Sequence, residues 1–285
     1  MSTLLDTAVH LFLESEMESP CVLPIDTARP HAFNGVGIGM GMGQLVVYSR
    51  TCPDKEEPND DSAAVIRLAD GALVMAVADG VGGAPLGYKA SAIAVQCVAE
   101  SLHNRIGGSD LRPAILDGIE RANAEILDMG TGAATTISIV EVQNRIARGY
   151  QVGDSMAMIV GQRGTMKWRS TSHSPVGYLI ESGAIEEDEA MLHAERHIVS
   201  NLVGSREMHI EIGPAIPLAV RDSIVIGSDG LFDNLQLGEI AQLARIGKPL
   251  DRMNALVALA SKRMRGEDDS MPGKPDDLAI VLMTP

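Results

Sequence analysis

Five apolar, β-type runs in this 285-residue chain begin or end at aspartates, and this pattern constrains the fold more than any other feature. Each run has the length and branched side chains typical of a buried strand. The runs and their acids are 63–68 after Asp60 and Asp61, 74–78 before Asp79, 149–153 before Asp154, 224–228 before Asp229, and 278–282 after Asp276 and Asp277. Side chains at strand ends can meet at one mouth of a sheet, so we expect these acids to converge.

Each acid alone has an ordinary explanation, because Asp-Gly is a favoured turn and acids at strand ends are usually solvated. Five acidic groups at strand mouths are harder to explain as turns. Their mutual repulsion would raise their pKa values and destabilise the fold unless cations neutralised them. A cluster of carboxylates without Cys or His favours Mg²⁺ or Mn²⁺ over zinc. Two such ions can lower the pKa of a water and direct it at phosphorus, so phosphoester hydrolysis is the leading chemistry.

The charge of the chain narrows the classes of partner. Lys and Arg total 23 against 38 Asp and Glu, which gives a net charge of −15. Such a surface repels nucleic acid and anionic membranes. No apolar run approaches the roughly 20 residues of a membrane span, and the first residues lack the basic start of a secretory signal. With three cysteines, neither a disulfide framework nor a Cys-type zinc site is expected, and we predict a cytoplasmic protein.

Two regions are predicted. Residues 1–44 form an N-terminal arm or docking segment, with apolar residues at helical spacing between Leu4 and Phe12 and alternating glycines at 35–43. Residues 45–285 form one domain of two packed sheets with helices outside. Its strands are predicted at 45–50, 63–68, 72–78, 134–142, 146–152, 156–161, 165–170, 208–212, 222–227 and 278–283, and its helices at 87–104, 110–128, 236–246 and 251–265.

Six motifs in this domain resemble, in order, those of the PP2C-type (PPM) metal-dependent protein serine/threonine phosphatases. The similarity covers about residues 45–285. Any one of the motifs is weak evidence, and the ordered series is strong. The motifs are Asn59-Asp-Asp-Ser62, Val77-Ala-Asp-Gly-Val-Gly-Gly83, Ala134-Thr-Thr136, Val152-Gly-Asp-Ser155, Ser228-Asp-Gly-Leu-Phe-Asp233 and Asp276-Asp-Leu-Ala-Ile280.

The resemblance implies an α+β fold, the family's α-β-β-α sandwich of two antiparallel sheets flanked by helix pairs. It also implies two Mn²⁺ or Mg²⁺ ions in the core site and a third, weaker site. Asp79, Asp229 and Asp276 would be the catalytic acids. The metal-site residues that it implies are Asp79 as the bridging carboxylate, Gly80 through its carbonyl, Asp229 and Asp276 on the first ion, Asp60 through metal-bound water, Asp61 in the outer shell, and Asp154 at the third site.

Several positions depart from the family pattern. Relatives commonly place an Arg four residues before the first metal-site acid to grip the substrate phosphate, and Glu56 stands there in this chain. Arg50 and Lys55 are the nearest basic substitutes, although Lys lacks the two-pronged grip of Arg. Asp60 is one methylene shorter than the family's usual Glu. These changes affect the expected substrate grip and rate more than metal binding.

The expected function is hydrolysis of phosphoserine or phosphothreonine in proteins by metal-activated water. A phosphorylated protein is the expected substrate, and a cognate Ser/Thr kinase or regulator is a candidate partner. The missing Arg and the N-terminal arm leave an alternative open. In that alternative, the chain is a PP2C-fold regulatory or binding module with weak or no catalysis.

Two other patterns carry weaker hypotheses. The segment 153–157 is one residue short of the nucleophile elbow of serine hydrolases, but residues 156–160 predict a strand where that motif needs a helix. His193 and His197 have the spacing of a zinc-binding helix pair, but the Glu expected at 194 is Ala. We therefore expect a hairpin and a surface pair of histidines.

Overall fold

The computed structural model describes residues 10–13, 21–23, 31–38 and 41–285, except positions 54, 57, 83, 85, 106–109 and 269. Its strands form two sheets. The first contains β1 (His10–Leu13), β2 (Cys21–Leu23), β5 (Asp61–Arg67), β6 (Leu73–Asp79), β7 (Ile137–Gln143), β8 (Ile146–Val152), β11 (Glu211–Ile212) and β12 (Ile216–Pro217). The second contains β3 (His31–Ile38), β4 (Gly41–Arg50), β9 (Met156–Val160), β10 (Met166–Arg169), β13 (Ser223–Gly227) and β14 (Leu278–Thr284).

Helix pairs cover the outer faces of both sheets, as predicted. The helices are α1 (Gly87–His103), α2 (Arg112–Asp128), α3 (Pro175–Glu181), α4 (Glu187–Ala190), α5 (Asp229–Phe232), α6 (Leu237–Arg245) and α7 (Pro249–Met264). The helices α3, α4 and α5 were not predicted. All of them are short, and a segment of four to seven residues shows too few turns of periodicity to be recognised.

Three apolar layers hold the sandwich together. Alternate residues of β6 show why: Val74, Ala76 and Ala78 pack toward α1 and α2, whereas Leu73, Met75 and Val77 pack between the sheets. A third layer lies between the second sheet and the pair α6 and α7. A strand with both faces covered must be apolar throughout, which explains the uninterrupted runs in the sequence.

Two hairpins join consecutive strands of the first sheet. The hairpin expected at residues 153–157 was wrong, because β8 belongs to the first sheet and β9 to the second, so the chain crosses between the sheets there. Strands β5 and β6 pair antiparallel around Gly71, whose φ of 81° needs glycine. Strands β7 and β8 pair antiparallel and turn at Asn144 and Arg145, which both have positive φ. The boundaries of the longer helices lie within a few residues of the expected ones, so the α+β sandwich expected from the sequence is confirmed.

The N-terminal region is built differently from its sequence pattern. His10–Leu13 is a strand that pairs parallel with β5, where helical spacing was expected; the edge of β5 supplies its backbone partners. Residues 1–9 of that stretch lie outside the described residues. Strand β4 crosses the boundary predicted at 44 and 45, and the two-region division stays a prediction. Among the described residues, no helix combines the length and apolar composition needed to cross a bilayer.

Candidate metal centre

The sandwich brings acidic side chains together at one edge of the two sheets. Asp79 ends β6 and Asp61 begins β5, and the register places these two residues directly opposite each other. Asp154 follows β8, Asp229 follows β13, and Asp276 precedes β14. In an antiparallel sheet the end of one strand adjoins the start of the next, so these positions share an edge.

The carboxylates are close enough to perturb one another. Burial, then the charges of Asp61, Asp229, Asp276 and Asp154, raise the pKa of Asp79 well above its ordinary value. Burial also raises the pKa of Asp276 to about 7, with Asp229 adding to the shift and Lys274 opposing it. Like charges opposite each other in a sheet are destabilising. The predicted convergence of the acids is therefore present, together with its electrostatic cost.

Hydrogen bonds to the backbone hold Asp79 in place. Its N–H donates to Thr136 Oγ1 at 3.1 Å, and its carbonyl accepts from Thr136 N–H at 2.8 Å and from Thr135 Oγ1 at 2.8 Å. Thr136 Oγ1 also lies 2.6 Å from the buried hydroxyl of Ser155. The Ala-Thr-Thr motif thus supports the strand end that carries Asp79. Ser155 precedes strand β9 directly, so the described residues do not form a nucleophile elbow there.

Both Asp-Gly pairs of the site use glycine for close backbone contact. A Cβ on Gly80 would lie 2.2 Å from the carbonyl oxygen of Gly87, at the start of α1. A Cβ on Gly230 would overlap the carbonyl oxygen of Asp277. Neither glycine has a left-handed φ. The turn explanation therefore fails at these two positions, and the glycines allow the elements carrying Asp79 and Asp229 to approach their neighbours.

Asp60 and Asp61 have different surroundings. Asp61 is fully buried, accepts a 2.6 Å hydrogen bond from Ser228 Oγ, and leaves its Oδ1 without a partner. Burial, then the charges of Asp277, Asp276 and Asp229, raise its pKa. Asp60 is 21% exposed and pairs with Lys55 at 2.8 Å. Asp61 is therefore more deeply buried than Asp60, and its outer-shell role stays a prediction.

Two lysines neutralise part of the cluster. Lys55 Nζ lies 2.7 Å from Asp277 Oδ2 and also pairs with Asp60. Lys274 Nζ bonds to Asp229 Oδ2, to Asp233 Oδ2 at 2.9 Å and to Asp276 Oδ2 at 3.1 Å. Asp233 and Asp277 stand in the quoted motifs without an assigned role, and Lys274 stands in none of them. Most of these ion pairs join segments that are distant in the chain, so sequence patterns do not reveal them.

The donor set suits a hard divalent cation. All of its acidic ligand candidates offer carboxylate oxygen, and Asp61 Oδ1 and Asp229 Oδ1 are buried without a hydrogen-bond partner. Within the described part of the chain, no three His, Cys, Asp or Glu side chains already surround a common point as ligands. The lysine ammonium groups hold several of the carboxylates instead. The residues fit such an ion once these ion pairs rearrange.

Basic side chains lie on two sides of the cluster. Arg50 is exposed on β4 and shares a surface pocket with Asp276. A second cavity, of about 100 Å³, is lined by Asp154, Asp229 and Asp233 and also by Arg169 and Arg196. These two arginines were not predicted as site residues, since neither belongs to an acidic motif. His193 and His197 lie outside the helices, in the irregular segment after α4, so they do not share the helical face that a zinc pair needs.

His173 supports the site, although no sequence pattern assigned it a role. Its buried Nδ1 accepts from Gly153 N–H at 3.2 Å and from Asn201 Nδ2 at 2.9 Å, and its Nε2 lies 3.1 Å from Glu211 Oε2. This arrangement requires the neutral ring with a proton on Nε2. It fixes Gly153, the residue directly before Asp154.

The chain is similar to known phosphatases over most of its length. Residues 50–265 match the family model of protein phosphatase 2C. Protein phosphatase PhpP of Streptococcus pneumoniae is 27% identical over 67% of this chain and 80% of that protein. The serine/threonine phosphatase structure from S. agalactiae superposes with a TM-score of 0.72 at 25% identity, over 85% of this chain and 99% of the other.

A second similar structure holds metal. The catalytic domain of the serine/threonine protein phosphatase PstP, in complex with two manganese ions, superposes with a TM-score of 0.66 at 22% identity, over 85% of this chain and 97% of that one. The family match covers far more than half of the sequence and includes five of the six motifs. The chain therefore belongs to the protein phosphatase 2C family of metal-dependent protein serine/threonine phosphatases.

Proposed function

We propose that this protein removes phosphate from phosphoserine and phosphothreonine in proteins, with two Mn²⁺ or Mg²⁺ ions bound at the aspartate cluster. The observation that carries the proposal is the convergence of Asp61, Asp79, Asp154, Asp229 and Asp276 at one sheet edge. Uncompensated burial of so many carboxylates would be unfavourable, and divalent cations offset it. When bound, the ions would supply an activated water and charge for the phosphoryl oxygens.

Each acidic residue of the cluster has a distinct proposed role in metal binding. Asp79 would bridge the ions, Gly80 would offer its carbonyl, and Asp229 and Asp276 would hold the first ion. Asp60 and Asp61 would support this site, and Asp154 would serve a third, weaker one. Asp79 is suited to its role because Thr135 and Thr136 fix its backbone, so the carboxylate needs little reordering to receive a cation.

Four basic residues near the cluster are candidates for binding the substrate phosphate. Arg50 and Lys55 are the basic candidates expected from the sequence, and Arg169 and Arg196 line the cavity beside Asp229. Lys55 is held by Asp60 and Asp277, which leaves the exposed Arg50 the freer of the first two. We propose that the N-terminal arm docks a regulator or a cognate kinase. We also propose that the protein acts in the cytoplasm.

Hydrolysis of a phosphothreonine peptide tests the proposal. We expect turnover with Mn²⁺, none with excess chelator, and none in Asp79→Asn. Asp128→Asn is the matched control, since Asp128 is exposed at the end of α2. Turnover that survives chelation, or that is the same in Asp79→Asn and the wild type, would contradict the proposal. Full Mn²⁺ binding without turnover would favour the regulatory-module alternative.

A further inference from the structure

The side chain of Lys274 lies among the carboxylates of the acidic cluster. Its ammonium group contacts three carboxylates, those of Asp229, Asp233 and Asp276. Two of these acids are the ones assigned above to the first metal ion. A lysine nitrogen and a divalent cation therefore have overlapping partners at this end of the site.

The backbone of Lys274 is fixed to the short helix α5, which begins at Asp229 and is capped at its C-terminus by Asp233. The side chain of Asn234 is fully buried and accepts from Lys274 N–H at 2.9 Å. Its Nδ2 donates to the Lys274 carbonyl at 2.9 Å and to the Gly230 carbonyl at 2.9 Å. Asn234 thus joins the segment before β14 to α5. The backbone position of Lys274 is therefore fixed next to the cluster, and its contacts do not depend on a flexible surface side chain alone.

We propose that Lys274 is a built-in counter-cation that competes with the divalent ion for Asp229, Asp233 and Asp276. The inference rests on the function proposed above. In the metal-free protein the ammonium group neutralises part of the cluster and keeps the fold together. When metal binds, the ammonium group must leave these oxygens, because the positive charges of Lys274 and the metal ion repel each other strongly at short distance.

The consequence is a higher metal requirement than the carboxylates alone would set. Each oxygen that the metal takes must first be released by Lys274. The protein therefore binds metal more weakly, and is more stable without it, than a variant that lacks the positive charge. Lys274 therefore lowers the affinity for the ion, while the same residues remain its ligands.

Calorimetric titration of Mn²⁺ into the full-length protein tests this inference. We expect Lys274→Met, which keeps an unbranched apolar stem, to bind Mn²⁺ about tenfold more tightly than the wild type, by the size of a single close charge pair in a partly exposed site. The metal-free variant should melt at a lower temperature and show a larger Mn²⁺-induced rise. Lys274→Arg, which keeps the charge, should retain the wild-type affinity.

Lys167→Met is the matched control. Lys167 also pairs with a buried acid, Asp222, at 2.7 Å, but Asp222 lies at the opposite end of β13 from Asp229. The two Lys→Met changes alter net charge equally, so any general electrostatic effect appears in both. We expect the Mn²⁺ affinity of Lys167→Met to equal that of the wild type.

Equal or weaker Mn²⁺ binding by Lys274→Met, with phosphopeptide hydrolysis intact, would overturn the competition and leave the proposed function standing. An equal gain in Lys167→Met would overturn it as well. If neither the wild type nor Lys274→Met bound Mn²⁺ or hydrolysed the peptide, the proposed function would fail together with the inference.

Discussion

At the scale of single residues, the site holds acids under electrostatic strain. Asp61 is fully buried, lies opposite Asp79 in the sheet register, and has a pKa raised by burial and by neighbouring carboxylates. An arrangement of this kind lowers stability and persists where a ligand uses it. It predicts that a neutral replacement of Asp61, whose carboxylate contacts neither lysine, stabilises the metal-free fold.

Asp61→Asn tests whether the Asp61 charge lowers the stability of the metal-free fold and raises the affinity for metal. We expect the substitution to raise the free energy of unfolding of the metal-free protein by about 1 kcal/mol, since it removes one repelling charge of the cluster. It should weaken Mn²⁺ binding at the same time. Urea denaturation with chelator, compared with calorimetric titration, separates the two effects. A destabilised metal-free variant would mean that the Asp61 charge is satisfied within the fold.

Glu56 presents a second test at this scale, because the family usually has Arg at this position. Glu56→Arg should lower KM for a phosphopeptide about tenfold, the size of one charge-assisted hydrogen bond, with little change in kcat. Glu56→Gln is the control, as it removes the negative charge without adding a guanidinium. Equal KM values in the two variants would show that repulsion by Glu56, and not the lack of Arg, limits substrate binding.

At the scale of elements, glycine determines how closely the segments approach. Gly118 of α2 lies against α1, where an added Cβ would be 2.6 Å from the Cα of Val98. We expect Gly118→Ala to cost about 1–3 kcal/mol, because two helix backbones would have to separate. Gly238→Ala is the matched control. Gly238 lies in α6 with open space around it, so alanine there should add about 0.5–1 kcal/mol.

Thermal and urea unfolding of the two glycine variants provides the comparison. A loss of stability in Gly238→Ala, or none in Gly118→Ala, would contradict the packing assigned to the two helices. Gly80 and Gly230 face a similar restriction at the metal centre, but substitution there would disturb the site and the fold together.

His173 links several elements through a ring that must stay neutral. Burial lowers its pKa, although Glu211 opposes the shift. The unfolded chain therefore takes up this proton first as pH falls. Stability should be greatest above the ordinary histidine pKa of about 6.5 and should decline as pH drops through it toward the lower folded value.

His173→Ala should abolish that part of the pH dependence and cost about 2–3 kcal/mol at pH 7.5, since Gly153 N–H and the Asn201 amide lose a buried acceptor. His193→Ala is the control, because the partly exposed ring of His193 accepts a local bond from Glu195 N–H. Urea unfolding at pH 5.5 and 7.5 measures both quantities. An unchanged pH dependence in His173→Ala would assign the effect to another group.

The sequence predicted the acidic motifs well because each lies within a few residues of an apolar strand. It could not assign Asp60 and Asp61 their depths, since one residue of register decides which side chain is buried. The role of Gly80 and Gly230 was mistaken for turn formation because close approach depends on a partner segment. Lys274 and His173 were missed for the same reason: they make contacts to segments that are distant in the chain, 38 residues away for His173 with Glu211 and 45 for Lys274 with Asp229.

At the scale of the whole molecule, the net charge of −15 and the buried acids make divalent cations stabilising ligands. We expect saturating Mn²⁺, at about 100 times Kd, to add roughly 2.7 kcal/mol to the free energy of unfolding. NaCl at equal ionic strength should add less, because it screens the charges without binding the cluster. An equal rise in melting temperature with both salts would indicate screening alone.

The most direct test of the metal centre is the anomalous diffraction of crystals grown with Mn²⁺. We predict two manganese peaks roughly 3.5–4 Å apart, with the Asp79 carboxylate between them and Asp229 and Asp276 on one of the ions. Manganese peaks remote from Asp79, or no peaks at this sheet edge at saturating Mn²⁺, would contradict it.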